Sequence, residues 1–181
     1  MERPQYYRFH QGQKQLPFSD AEYETRLGLL RQTMRDAAID ACVLTSMHNV
    51  SYYSGFLYCA FGRPYALVVT ATDSVTFSAG IDAAQPWRRC YGDNITYTDW
   101  QRNNYWRAIL SVTDTGKTIG YEGDHKSISQ MRLLEAFLSP SKTIDVAPAT
   151  MMQRMHKSPA ERELIRAGAA IAVIGGFANR A

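Results

Sequence analysis

A chain of 181 residues suits one ordinary domain and at most a piece of a second, and its 45% hydrophobic and 20% charged content excludes the charge-rich, apolar-poor profile of disorder. The net charge of +3, from 20 basic and 17 acidic residues, excludes the dense basic block that a nucleic-acid or anionic-membrane surface needs. Met1-Glu2-Arg3-Pro4 opens on charge and no long apolar run follows, so a cytoplasmic protein without a membrane-spanning helix is expected.

Residues 1–17 mix Tyr, Arg, Gln and Lys without a period and read as an extended N-terminal arm. A helix then starts at Ser19, with Glu22 placed to close a capping box. Tyr23, Leu27, Leu30, Met34 and Ala38 recur on one face of it. Residues 41–45 form a short apolar run of the kind that makes a strand buried on both faces. Residues 65–70 and 74–78 are β-rich and separated by Ala71-Thr72-Asp73, which predicts an antiparallel hairpin.

Further strands are expected at 94–98 and 118–121. Helices are expected at 83–90, 104–112 and 127–138, the last stopped by Ser139-Pro140. A short helix should pass through Met151, Met152 and Met155. After it, Ser158, Pro159 and Glu161 give a strong start signal: a cap, a proline where the missing N–H costs nothing, and the partner of a capping box. Leu164, Ala167, Ile171, Ile174 and Ala178 line one face of that last helix, and no partner for them follows in the chain. Strands interleaved with helices predict a three-layer α/β domain over residues 18–156, built on a mixed sheet of about six strands. Residues 157–181 read as the first helix of another domain.

Chemistry is sparse. Cys42, Cys59 and Cys90 include no C-x-x-C pair and read as reduced residues in or near the core. His10, His48, His125 and His156 are scattered without H-x-x-x-H spacing, and no phosphate-binding glycine motif or G-x-S-x-G occurs. Glu122-Gly123-Asp124-His125 follows a predicted strand. It reads either as a metal or acid–base cluster or, more simply, as a polar turn whose Asp124 caps the next helix.

The segment 47–65 is too aromatic for a plain loop, and it carries Arg63 between Gly62 and Pro64. With Gly55 and Gly62 as joints, its rings could build an apolar wall around one guanidinium suited to a small ligand's carboxylate. The same residues also fit a surface arginine on an aromatic packing segment.

These residues resemble the creatinases, within the fold family that also holds prolidase and aminopeptidase P. The likeness rests on His48-Asn49-x-x-Tyr52-Tyr53-Ser54, Phe56-Leu57-Tyr58-Cys59 and the run from Phe61-Gly62-Arg63-Pro64 to Thr70. It continues in Gln85-Pro86-Trp87-Arg88-Arg89, Asn94-Ile95 and Tyr97-Thr98-Asp99-Trp100-Gln101-Arg102. It covers the chain from about Phe18 to its end, and these long matches favour the creatinase branch over the peptidases.

The resemblance implies an α/β N-terminal domain joined to a C-terminal pita-bread domain, in a homodimer. In that family water attacks the guanidinium carbon of creatine without a metal or other cofactor, releasing urea and sarcosine. The catalytic histidine and glutamates of the family lie beyond Ala181, so no catalytic residue is assigned here. The N-terminal domain lends a Phe and an Arg to the partner subunit's active site, and by motif these fall on Phe61 and Arg63. Cys90 and residues 111–117 depart from the pattern, with consequences for stability more than chemistry. This chain alone is then expected neither to bind creatine usefully nor to release urea. An Xaa-Pro dipeptidase or aminopeptidase P parent, and a stand-alone dimerisation module, are the other readings.

Overall fold

The computed structural model describes residues 3–58, 62–82 and 85–178, with side chains up to residue 175. Three layers form. Among the described residues the central sheet has seven strands: β1 (Tyr6–Arg8), β2 (Ala41–Leu44), β3 (Ala66–Thr70), β4 (Ser74–Ala79), β5 (Asp93–Tyr97), β6 (Thr118–Tyr121) and β7 (Lys142–Asp145). Their spatial order is β1-β5-β4-β3-β2-β6-β7. β2, β4, β5, β6 and β7 run one way and β1 and β3 the other, so the predicted mixed sheet is present and its β3–β4 hairpin is antiparallel. Two of the seven, β7 and β1, lie outside the expected strand positions, and β1 is the centre of the predicted arm. Its three residues are exposed and owe their extended form to pairing with β5 rather than to any pattern of their own.

Alternation along the central strands builds two cores. Ala41, Val43, Ala66 and Val68 face α4 (Asn104–Thr113) and α5 (Ile128–Leu138), whose Tyr105, Trp106, Ile109, Leu134 and Leu138 close the first core. Cys42, Leu44, Leu67 and Val69 point the other way, onto Leu27, Leu30 and Met34 of α1 (Asp20–Asp36) and Val50 and Tyr53 of α2 (Met47–Ser54). Each fully buried aliphatic or aromatic side chain stabilises by roughly 1.5–3 kcal/mol relative to exposure, so the two cores hold the sheet from both faces. Gly120 permits a close approach in the core: a Cβ there would lie 2.6 Å from Cys42 Sγ and 3.1 Å from Val146. The thiols of Cys42 and Cys90 are free and buried, and burial pushes them up to about 12 and about 11. Cys59 lies outside the described residues.

Several local expectations need correction. α1 ends at Asp36 and Ala38 takes a positive φ of 51°, so Ala38 leaves the buried face and Ile39 takes its place. Ser19 caps α1, but the Glu22 carboxylate turns away from the cap to accept from Arg26 Nε at 3.0 Å. Residues 47–54 are the helix α2, capped by Ser46. Gly55 is that helix's C-cap in the left-handed region (φ 79°) rather than a loose joint. Asp124 does not cap α5; Ser127 does, in a full capping box with Gln130. The expected helix at 83–90 is seen as α3 (Gln85–Arg89), residues 83 and 84 lying outside the described set.

α6 (Ala147–Met155) packs on α1. α7 (Pro159–Ala178) starts as its residues predict: Ser158 N–H donates to Glu161 at 3.0 Å and Glu161 N–H to Ser158 Oγ at 3.1 Å. Its Leu164, Ile165, Ile171 and Ile174 are exposed. Among the described residues, no helix is long and apolar enough to cross a membrane.

Candidate functional site

The carboxyl ends of β2, β5 and β6 and the amino end of β3 meet at one edge of the sheet, where α/β proteins gather their ligands. Two features share that edge. The first is a clamp around Glu122, which directly follows β6 and is 1% exposed. Its carboxylate accepts from Ser46 N at 2.8 Å and Asn49 Nδ2 at 2.6 Å, and also from Thr45 N and Ser46 Oγ. The same Asn49 amide donates to Thr150 Oγ1 of α6 at 3.0 Å, so one carboxylate ties β2, α2 and β6 together and reaches α6. A buried charge needs that many donors. They occupy its lone pairs, so Glu122 is structural rather than the acid–base or metal-binding carboxylate its turn allowed.

The second feature is a cavity of about 500 Å³ beside the clamp. Its walls are aromatic: Tyr58 and Tyr65 stack at 4.5 Å, and Tyr97, Tyr105 and Trp106 complete the lining from β5 and α4. Phenol hydroxyls anchor the segment that carries Arg63. Tyr97 donates to the carbonyl of Pro64 at 3.0 Å, and Tyr105 to that of Tyr65 at 3.2 Å. Tyr58 donates to the carbonyl of Thr45 at 2.6 Å, joining cavity and clamp. Burial, and behind it the charge of Glu122, pushes the Tyr58 phenol up to about 12. Burial likewise raises Tyr97 and Tyr105, so all three remain protonated donors at neutral pH.

Arg63 stands at the rim, its side chain 42% exposed, with Nη1 2.5 Å from Asp99 Oδ1. A guanidinium carries five N–H donors in a rigid fork, so Asp99 orients it while leaving donors for a ligand carboxylate. The predicted aromatic setting of Arg63 is therefore present in part. Tyr58 and Tyr65 of segment 47–65 line the cavity. Tyr52 and Tyr53 instead reach Gln153 of α6, and Phe56 lies in the second core, to which Tyr58 and Tyr65 also belong. Phe61, the other expected substrate-binding residue, lies outside the described residues.

Sequence reasoning missed Tyr97, Tyr105, Trp106 and Lys126 as cavity residues, since they arrive from β5, α4 and the turn after β6, far from segment 47–65 in the chain. A lysine in the turn between a strand's carboxyl end and a capped helix was the available signal for Lys126. Its ammonium lies 5.6 Å from the centre of the Trp106 ring. Burial pulls it down to about 8 from an ordinary 10.5, against the opposing pull of Glu122.

Comparison with known proteins places this geometry in a family. The Creatinase/Prolidase N-terminal domain family matches residues 26–156. A creatinase from Bacillus sp. (strain B-0618) is 46% identical, over 92% of this chain and 42% of its own length, so the chain spans less than half of that relative. Two solved structures share the fold at lower identity. The prolidase from Pyrococcus horikoshii OT3 is 16% identical with a TM-score of 0.68, over 82% of this chain and 40% of that one. The N-terminal domain of an X-Pro dipeptidase from Streptococcus pyogenes is 19% identical with a TM-score of 0.63, over 71% and 98%.

Proposed function

The chain belongs to the Creatinase/Prolidase N-terminal domain family, and on that basis we propose that it is the non-catalytic N-terminal domain of a creatine-hydrolysing amidinohydrolase. The supporting observation is the 46% identity to a creatinase along nearly the whole chain, against 16–19% for the two peptidases. In this reading α7 opens a catalytic domain that follows, and its exposed Leu164, Ile171 and Ile174 pack against that domain. The parent is a homodimer in which Arg63, with Phe61 beside it, closes the partner subunit's active site.

Arg63 would grip the substrate carboxylate. Its fixed main-chain flanks and Asp99 preset the guanidinium, so little freedom is lost when a carboxylate meets it. Exposed at the rim, such a pair contributes only about 0–1 kcal/mol, whereas a sheltered charged hydrogen bond contributes about 1.5–3 kcal/mol. Arg63 should therefore act only once another subunit covers it. The full-length parent, assayed with creatine and with an Xaa-Pro dipeptide, tests the reading: release of urea and sarcosine is expected, while metal-dependent dipeptide cleavage without urea release would assign the domain to a peptidase.

A further inference from the structure

The cavity holds more charge than Arg63 supplies. Its lining contains three basic side chains, Arg63, Arg102 and Lys126, and one carboxylate, Asp99. Asp99 is committed to Arg63 at 2.5 Å. Arg102 is exposed and solvated. Lys126 is neither paired nor well solvated: it is half-buried over the Trp106 ring, and among the described residues no carboxylate forms an ion pair with it. The acid whose charge acts on it, Glu122, has its oxygens occupied by five other donor groups. His125 next to it is exposed, with Nδ1 3.2 Å from Thr45 Oγ1.

We infer that the cavity is a carboxylate-binding site of this domain in its own right, with Lys126 holding the anion and the Tyr58, Tyr65 and Trp106 rings flanking its apolar body. A desolvated cation without a counter-ion gains more from an arriving anion than an exposed one does, and an apolar cavity with a few placed polar groups is the usual form of a small-molecule site. The excess of cations selects against a second positive group on the ligand. A zwitterion such as creatine should therefore bind this site less well than a simple aryl or alkyl carboxylate. The depressed ammonium of Lys126 agrees with this arrangement. The site lies wholly within the chain and its occupancy is read without turnover, so it stands or falls apart from creatine hydrolysis.

The test uses the 181-residue chain carrying ¹³C-lysine, titrated with sodium benzoate and, in parallel, with benzamide at constant ionic strength. The Lys126 Cε resonance, assigned by its loss in Lys126→Met, should show an upward shift of the ammonium pKa by about one unit at saturating benzoate. That corresponds to about tenfold tighter binding of benzoate to the protonated form. Benzoate should saturate below about 5 mM, a weak but specific affinity. Lys126→Met should lose about tenfold in that affinity and Arg63→Met less than about threefold. Benzamide should not move the resonance. An unmoved Lys126 resonance, equal binding of benzamide, or unchanged benzoate affinity in a folded Lys126→Met variant would each overturn the inference.

Discussion

Glu122 and Lys126 stand at the two ends of one turn, yet the sheet edge uses their charges in opposite ways. Glu122 is sealed in and receives five hydrogen bonds, from Asn49 of α2 and from Thr45 and Ser46 in the junction between β2 and α2. Lys126 is half-buried against Trp106 with no ion pair among the described residues. Saturation of a polar group marks a part of the scaffold, and a desolvated group left unsaturated marks a place for something else. The same contrast separates the clamp, which fixes where β2, β6 and α2 meet, from the neighbouring cavity, which keeps the rim guanidinium of Arg63 half-exposed.

Changes to the clamp should be the most damaging. Glu122→Ala orphans two backbone N–H groups and the Ser46 hydroxyl and takes one partner from the Asn49 amide, each buried orphan costing about 1–3 kcal/mol, so a loss of about 3–5 kcal/mol is expected in urea unfolding. A smaller loss, about 1–3 kcal/mol, should follow Gly120→Ala. The new methyl would press on Cys42 Sγ and Val146 in a core with no room to relax, and thermal unfolding would show the lowered midpoint.

Lys126→Met should act in the other direction. Because the folded state holds the ammonium near 8 and the unfolded chain near 10.5, the unfolded state binds more protons between those values. Wild-type stability therefore rises with pH through that window. The variant escapes this penalty, so it should be the more stable at pH 7, with the gap closing between pH 8 and 10.5. A constant gap in melting temperature across that range would contradict the buried ammonium. Smallest of all is the effect of Ile171→Asp on α7: at 71% exposure it should leave the stability of this chain within about 0.5 kcal/mol. Amides beyond residue 162 should exchange fast in the monomer, because Gly168 and Gly175 each weaken the helix by about 1 kcal/mol relative to Ala.

How much of this could be read beforehand followed the range of each interaction. The α7 start was legible because its cap, Ser158, and the partner Glu161 lie three residues apart. The β3–β4 hairpin was legible from two β-rich runs and the short turn between them. α2 was not, since its eight residues bury only Val50 and Tyr53 among the hydrophobics, beside the polar Asn49 and Ser54, too few for an apolar stripe. β1 has no signal except its pairing with β5, some ninety residues away in number, as Tyr6 meets Tyr97. The role of Glu122 was equally hidden, because its donors sit 73 to 77 residues earlier in the chain. Arg63 was legible as a candidate from its Gly-Arg-Pro setting. Its pairing with Asp99 and the Tyr97 and Tyr105 anchors belong to tertiary structure and left no local trace.

The claim that this domain lends a substrate-gripping guanidinium rests on Arg63 itself, and steady-state kinetics of Arg63→Ala in the full-length parent address it most directly. Loss of a sheltered charged hydrogen bond, about 1.5–3 kcal/mol, corresponds to a fall of about 10- to 100-fold in kcat/KM for creatine, with KM raised and the unfolding midpoint unchanged. A folded Arg63→Ala enzyme that hydrolyses creatine with wild-type kcat and KM would make Arg63 an ordinary rim arginine held by Asp99, and would contradict the proposed role.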